Sequence, residues 1–235
     1  MTERSPTDLL AMVGRLLGPL ADQVVFVGGT TVELLLTDPA AAPVPVTEDV
    51  DCLCPARRRR DYYAFAERLL SRGFSPALEG PICRFEGSGL FLDVMPIEKS
   101  ILGFTNRWYA EAFERASTRD IDGAKLNVIT APCLIGTKLQ AFHGRGDGDY
   151  SASADLEDVV AVIDGRAELI DEIRADASPE LRSYLAHEMK ALLAAPAFRE
   201  ALPGHLPPDP GSQQRVGIVL ERMRRIGELR KGDER

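Results

Sequence analysis

Three aspartates in this chain have the type and spacing that phosphoryl-transfer chemistry requires. Asp49 and Asp51 stand two residues apart in one apolar segment, and Asp93 stands in the middle of another. Side chains two residues apart on a strand share a face, and an acid on an adjacent strand can complete a compact anionic cluster. Such a cluster needs compensating charge, which Mg²⁺ or Mn²⁺ supplies well to carboxylate oxygens. The pattern therefore predicts a metal site at Asp49, Asp51 and Asp93 that could bridge phosphate oxygens.

Asp93 is the most informative of the three because it interrupts an apolar run. The sequence Leu90-Phe91-Leu92-Asp93-Val94-Met95 is typical of a buried strand. An ionised carboxylate is costly in such a strand when nothing balances its charge. We therefore expect Asp93 to have either a partner or a metal ion.

A glycine turn lies upstream of the aspartates. The apolar run Val24 to Val27 predicts a short strand, and Gly28-Gly29-Thr30 follows it before a helical segment. Glycines lack Cβ atoms, so backbone N–H groups can approach a triphosphate there, and the N-terminus of the following helix favours negative charge. The turn is therefore a candidate phosphate-binding element.

Each of these signals also has a plain structural explanation. A Gly-Gly pair after a strand is most often only a tight turn, and an Asp-x-Asp sequence is frequent by chance. A second such sequence, Asp120-Ile121-Asp122-Gly123, is surrounded by turn residues, which indicates a chance occurrence without a functional role. Only the order of the three elements along the chain favours function over structure.

Composition excludes several classes of protein. A chain of 235 residues, 45% hydrophobic and 27% charged, can bury a full core and is not typical of disordered or fibrous proteins. Its formal charge of −8 argues against binding along an extended stretch of nucleic acid, because such binding needs a positively charged protein surface. The four cysteines lack zinc-site spacing, so buried free thiols are expected. No apolar run is long enough for a membrane span, and we expect a cytoplasmic protein without a membrane partner.

Local patterns predict an α+β fold. Helical spacing of apolar residues predicts a first helix over residues 7–18 with Thr7 as N-cap, and a mainly helical chain beyond Pro132. Short β-branched or aromatic runs predict strands at 24–27, 49–54, 82–86, 90–95 and 125–130. The strands at 82–86 and 90–95 should form a hairpin over Gly87-Ser88-Gly89. We therefore expect a small mixed β-sheet domain over residues 1–130 and a helical domain over 131–235.

The order of these motifs resembles that of the polymerase-β-type nucleotidyltransferase superfamily. Gly28-Gly29-Thr30, the strand motif Thr47-Glu48-Asp49-Val50-Asp51 and the later Asp93 carry the resemblance. The chain looks closest to the AbiEii-like branch, the nucleotidyltransferase toxins of bacterial abortive-infection and toxin–antitoxin systems. The resemblance spans residues 24–163 and leaves the C-terminal third unmatched.

The resemblance implies a small mixed-sheet nucleotidyltransferase core and transfer of a nucleoside monophosphate from an NTP. It implies that Gly28, Gly29 and the hydroxyl of Thr30 hold the β- and γ-phosphates. It also implies metal binding at Asp49, Asp51 and Asp93, with Asp93 orienting or deprotonating the acceptor hydroxyl. The helical domain would complete the nucleotide or acceptor site.

The same branch carries a later lysine, an arginine and a D-x-x-D helix start, which here correspond to Lys138, Arg145 and the pair Asp155 and Asp158. The resemblance gives Lys138 a catalytic and triphosphate-binding role, and gives Asp155 and Asp158 a nucleotide-binding role. Taken alone, Lys138 is equally typical of a solvated lysine on an amphipathic helix. Acids in the first turn of a helix are favoured by its dipole, so capping can also explain Asp155 and Asp158.

The acceptor is left open by the sequence. The resemblance implies tRNA as acceptor, a toxin-like role and a cognate antitoxin as partner. The acidic balance fits a small cationic acceptor such as an aminoglycoside equally well. A non-catalytic protein that binds a nucleotide or a partner is the alternative from another class. The basic run Arg57–Arg60 is more typical of a solvated helix start than of a contact to acceptor phosphates.

Overall fold

The computed structural model describes residues 5–44, 49–103, 106–145 and 148–229. The chain divides into two compact units. The first comprises Met1–Leu34 and Pro45–Thr130, and the second comprises Leu35–Val44 and Ala131–Arg235. The segment 35–44 therefore belongs with the C-terminal helices, although it lies between two parts of the first unit in sequence.

The first unit contains a seven-stranded mixed sheet with the order β3-β4-β5-β2-β1-β7-β6. The strands are β1 (Val25–Val27), β2 (Asp49–Cys54), β3 (Ser75–Pro76), β4 (Arg84–Gly87), β5 (Leu90–Pro96), β6 (Ser117–Ile121) and β7 (Ala124–Val128). The pairs β2–β5 and β1–β7 are parallel, and the other four pairs are antiparallel. The α+β prediction is thus confirmed, with a mixed sheet as expected.

Alternating apolar residues fix the register of the central strands. Val50 and Cys52 of β2, and Leu92 and Val94 of β5, are completely buried on one face. Burying each such side chain contributes about 1–3 kcal/mol, and a slip of one residue would expose the whole set. The same register places Asp49, Asp51 and Asp93 together on the opposite face.

Two hairpins of the sheet turn over a pair of residues with positive φ. Ser88 and Gly89 (φ 53° and 73°) join β4 to β5, and Asp122 and Gly123 (φ 49° and 79°) join β6 to β7. Positive φ at both central positions gives the turn whose twist matches that of paired strands. The predicted hairpin over Ser88 and Gly89 is confirmed. The second Asp-x-Asp sequence spans the end of β6 and the turn after it, where Asp120 Oδ1 accepts a hydrogen bond from the Gly123 N–H.

The helices of the first part of the chain are α1 (Pro6–Leu17), α2 (Val32–Leu35), α3 (Arg59–Ser71), α4 (Lys99–Leu102) and α5 (Tyr109–Glu114). The prediction of Thr7 as the N-cap of α1 was wrong, because Ser5 caps it. The Ser5 hydroxyl accepts from the Asp8 N–H, and the Asp8 carboxylate accepts from the Ser5 N–H. Pro6 suits the first helical position because its missing N–H would have no partner there.

The second unit is helical from Ala131 onward. Its helices are α6 (Ala131–Arg145), α7 (Ala154–Gly165), α8 (Leu169–Asp176), α9 (Pro179–Ala194), α10 (Pro196–Ala201), α11 (Pro210–Gln214) and α12 (Val216–Gly227). Arg215 joins the segment 35–44 to these helices through Asp38 (2.6 Å) and Asp164 (2.8 Å). Within the described ranges, no helix is long and apolar enough to cross a membrane.

Candidate active site

The glycine turn follows β1 and brings the backbone against Asp51. Gly28 has a φ of 77°, and residues Gly29–Thr31 form a single 3₁₀ turn that leads into α2. A Cβ atom on Gly28 would lie only 2.0 Å from Oδ2 of Asp51. Glycine is therefore required at position 28 both by its backbone conformation and by the close approach of the carboxylate.

The three predicted aspartates lie together on two adjacent strands. Asp51 and Asp93 are direct partners in the parallel pair β2–β5, and Asp49 is the partner of Phe91 two positions earlier. Directly paired residues of neighbouring strands project to the same face of the sheet. The structure therefore brings Asp49, Asp51 and Asp93 to one surface, beside the glycine turn.

Arg84 is the residue of this site that the sequence analysis missed. Its Nε and one terminal nitrogen each donate to one carboxylate oxygen of Asp93 at 2.8 Å, and a terminal nitrogen also donates to Asp49 Oδ2 at 2.5 Å. The guanidinium carbon lies 5.2 Å from the centre of the Phe91 ring. A Cβ atom on Gly80 would lie 3.0 Å from Arg84 Cδ, so the preceding loop packs against the arginine stem.

The pairing of Arg84 with Asp93 could have been predicted from the sequence by counting residues outward from the β4–β5 turn. Once Ser88 and Gly89 are taken as the two turn residues, pairing Gly87 with Leu90 places Arg84 opposite Asp93. A long cation across an antiparallel pair from an acid is a favourable arrangement.

Arg84 also accounts for the presence of Asp93 in an apolar strand. Asp93 is only 7% exposed, and a bidentate guanidinium satisfies a buried carboxylate in geometry and in charge. In turn, the hydrogen bond to Asp93 raises the pKa of Arg84 above its ordinary value, although partial burial opposes this. Asp93 therefore has a partner, one of the two outcomes that its position predicted.

The carboxylates of Asp49, Asp51 and Asp93 are suitable ligands for a divalent cation, but in this structure the guanidinium of Arg84 binds two of them. Three carboxylates on one face offer the hard oxygen ligands that Mg²⁺ prefers. However, Arg84 takes both oxygens of Asp93 and one of Asp49. Among the residues that the structure describes, no three His, Cys, Asp or Glu side chains are grouped so that they could hold a metal ion. The carboxylates are the type of ligand that the ion prefers, but in the arrangement described they are paired with Arg84 and do not form a ready metal site.

Thr30 carries a buried hydroxyl without a hydrogen-bond partner. The residue is 1% exposed, and its Oγ1 contacts no donor or acceptor at hydrogen-bond distance. By contrast, the neighbouring Thr31 Oγ1 donates to the Gly28 carbonyl oxygen at 2.8 Å. A buried hydroxyl left unsatisfied costs about 1–3 kcal/mol, so the Thr30 hydroxyl lowers the stability of the fold.

The predicted residues of the second unit form an ion-pair cluster within that unit. Lys138 Nζ of α6 lies 2.5 Å from Asp158 Oδ2 and 3.3 Å from Asp155 Oδ1, both on α7. Arg145 donates to both oxygens of Asp155 at 3.0 Å. Lys138, Asp155 and Asp158 are all largely buried, so this network also ties α6 to α7.

The two aspartates of this cluster respond differently to their surroundings. Burial works to raise the pKa of Asp155, but the hydrogen bond from Arg145 and the charge of Lys138 outweigh it and lower the pKa. For Asp158, burial is again the largest influence, and the effects of Lys138 and of the Arg145 charge are not enough to offset it, so the pKa is raised. Asp155 is therefore held more firmly in its charged form than Asp158.

The remaining predicted features are the basic run, the cysteines and the rest of the strand motif. The run Arg57–Arg60 is exposed and leads into α3, and Arg57 makes a 3.7 Å ion pair with Glu114. All four cysteines are free and buried, as expected. Thr47 and Glu48 of the strand motif lie outside the described residues.

No protein-family model and no curated protein matches the chain. Similar solved structures include an antigenic nucleotidyltransferase-like protein from Paracoccidioides brasiliensis, with 16% identity, a TM-score of 0.49 and coverage of 85% of this chain and 93% of that one. They also include JHP933 from Helicobacter pylori, with 12% identity, a TM-score of 0.48 and coverage of 97% and 94%. Both identities and both TM-scores are too low to assign an activity to this chain.

Proposed function

We propose that the chain is a metal-dependent nucleotidyltransferase that moves a nucleoside monophosphate from an NTP to an acceptor hydroxyl. The observation that carries the proposal is the pairing of Asp51 with Asp93 across β2 and β5, with Asp49 on the same face. The Gly28 turn, which approaches Asp51 closely, supplies a backbone element for phosphates beside these carboxylates. Carboxylates and a phosphate-binding turn together are what phosphoryl transfer requires of a protein.

In the proposed reaction the acceptor oxygen attacks the α-phosphorus of the NTP. A bond forms from that oxygen to phosphorus, the bond to the bridging oxygen of the β-phosphate breaks, and pyrophosphate leaves with the electron pair. Asp93 orients the acceptor hydroxyl and receives its proton, while the turn residues Gly28, Gly29 and Thr30 hold the β- and γ-phosphates. Mg²⁺ or Mn²⁺ held by Asp49, Asp51 and Asp93 would neutralise charge on the phosphate oxygens.

The proposal is tested by pyrophosphate release. Wild-type protein, incubated with each NTP in turn, Mg²⁺ and an acceptor preparation, should release pyrophosphate. Asp51→Asn and Asp93→Asn should lower the rate at least about a hundredfold, since each removes charge that stabilises the transition state. The double variant Asp120→Asn, Asp122→Asn is the matched control, because it alters an Asp-x-Asp sequence in a hairpin turn. Equal rates for Asp51→Asn and the control would refute the assignment.

Labelled NTPs distinguish the two acceptor classes that we propose. One class is tRNA, and the other is a small amino-sugar, since the charge of −8 suits a cationic small molecule. Labelled NTPs with total tRNA, or with a panel of aminoglycosides, would show which product carries the label. A tRNA product would support a toxin-like role, and co-purification with a small cognate antitoxin could then be sought.

A second candidate is a protein that binds a nucleotide or a partner without catalysis. The observation that favours it is Arg84, whose guanidinium already compensates Asp49 and Asp93. Calorimetry of ATP or GTP binding with and without Mg²⁺ distinguishes the two. Binding that ignores Mg²⁺, with no pyrophosphate release, would favour the non-catalytic protein.

Nucleotide-binding roles for Lys138, Asp155 and Asp158 stay predictions. Their mutual ion pairs support a structural role in the helical unit as well. Lys138→Met should raise KM for the NTP if the ammonium contacts the triphosphate. An unchanged KM with a lowered melting temperature would identify it as a structural residue only.

A further inference from the structure

We infer that Arg84 is a tethered counter-ion of the carboxylate surface, which a divalent cation must displace before the site can work. The inference rests on the proposed function and adds a residue to it. It starts from the geometry, in which one guanidinium spans Asp49 and Asp93 with three hydrogen bonds of 2.5–2.8 Å.

Arg84 and a divalent cation would compete for the same oxygens. Both oxygens of Asp93 and Oδ2 of Asp49 already accept hydrogen bonds from Arg84, so a metal ligated by those atoms would weaken or replace these bonds. Two positive charges a few ångströms apart also repel strongly where water is partly excluded. Binding of the ion and pairing of Arg84 are therefore competing states of one carboxylate surface.

Arg84 packs against neighbouring groups near the carboxylates, but its side chain remains partly exposed to water. The Phe91 ring and Gly80 support its guanidinium and its stem respectively. Yet the side chains of Arg84 and Asp49 keep 21% and 38% of their surface exposed, so the guanidinium can turn toward water without opening the core. The methylene stem keeps it beside the carboxylates after it leaves, near any anionic substrate bound there.

The consequence is a change in metal affinity when Arg84 is removed. Isothermal calorimetry with Mg²⁺, repeated with Mn²⁺, would compare the full-length wild type, Arg84→Met and Arg84→Lys. Arg84→Met should bind the ion at least about tenfold more tightly than wild type, because the ion no longer displaces a charge-assisted pair. Arg84→Lys should lie between them, since lysine keeps the charge and loses the two-pronged geometry. Arg119→Met, which alters an exposed arginine on β6, should bind like the wild type.

Thermal unfolding gives an independent readout. Without metal, Arg84→Met leaves the carboxylates of Asp49 and Asp93 without their guanidinium, so its melting temperature should fall below that of the wild type. Saturating Mg²⁺ should raise the melting temperature of Arg84→Met more than that of the wild type, in line with its tighter binding. Should Arg84→Met fail to fold without metal, Arg84→Lys, which keeps the positive charge, still allows the comparison with the wild type.

The outcomes separate this inference from the proposed function. Equal Mg²⁺ affinity in wild type and Arg84→Met, with normal pyrophosphate release, would overturn the counter-ion role and leave the nucleotidyltransferase assignment standing. Absence of metal binding in wild type, Arg84→Met and Arg84→Lys alike would overturn both. Tighter binding by Arg84→Met without any pyrophosphate release would support the counter-ion role and count against the enzyme.

Discussion

Gly28 and Asp51 lie so close that a Cβ atom on the glycine would stand 2.0 Å from the carboxylate oxygen Oδ2. One is in the turn after β1 and the other is on β2, so the contact ties the phosphate-binding candidate to the carboxylate surface. Any side chain at position 28 must displace Asp51 or the turn.

Gly28→Ala should therefore lower the stability of the fold and displace Asp51 or the glycine turn from its position in the site. We expect the free energy of unfolding to fall by roughly 3 kcal/mol, from backbone strain at positive φ together with the clash. Gly123→Ala is the matched control, since Gly123 has a φ of 79° and a Cβ atom there would meet nothing within 4 Å. It should lose only about 1 kcal/mol. Chemical denaturation measures both, and equal losses would show that the contact with Asp51 contributes nothing.

Thr30→Val is expected to be neutral or to stabilise the fold by about 1 kcal/mol, because it removes a buried hydroxyl that has no partner. Thr31→Val should cost about 1 kcal/mol, since it breaks the hydrogen bond to the Gly28 carbonyl. Urea unfolding of the two variants provides the comparison. If the Thr30 hydroxyl holds a phosphate, Thr30→Val should also raise KM for the NTP, and a destabilised Thr30→Val would show that the hydroxyl has a partner after all.

Asp155→Asn should weaken the second unit in a pH-dependent way. Arg145 and Lys138 lower the folded-state pKa of Asp155 against the effect of burial, so its contribution is present above the ordinary aspartate range and is lost as the pH falls through the folded pKa. At neutral pH the variant should lose roughly 3 kcal/mol, because two cations lose a buried partner. The stability gap to wild type should narrow below about pH 4.

Denaturation curves from pH 7 down into the acid range, on the order of pH 3, would check the effect of Asp155→Asn. Asp176→Asn, at an exposed position on α8, serves as the control and should change stability by less than about 0.5 kcal/mol. A gap that stays constant through the acid range would rule out the ion pairs as its source.

The cysteines should be inert in the folded protein. Burial raises the pKa of Cys54 to about 11 and that of Cys83 to about 12, and raises that of Cys52 well above its ordinary value. The reactive thiolate is therefore scarce, and all four thiols are also shielded. An aromatic disulfide reagent at about pH 8 should label the protein only after denaturant is added. Rapid labelling of the native protein would contradict this arrangement of the core.

Several features of the site could be predicted from the sequence because they depend on neighbours along the chain. Alternation of apolar residues located β2 and β5, and the turn residues Ser88 and Gly89 located the β4–β5 hairpin. An acid inside the apolar run of β5 predicted that Asp93 would have a partner or a metal. Each of these depends on pleating, turn conformation or burial cost, which act within a few residues.

The sequence by itself determined the α+β class, the glycine turn, the strands that carry Asp49, Asp51 and Asp93, and the burial of the thiols. Only the tertiary structure decided that β5 pairs in parallel with β2, that Arg84 binds Asp49 and Asp93, and that Lys138 and Arg145 share Asp155. It also decided that residues 35–44 belong with the C-terminal helices. These pairings and contacts join residues that are far apart in the chain. An apolar pattern predicts which face of a strand is buried, but it does not predict which strand lies beside it.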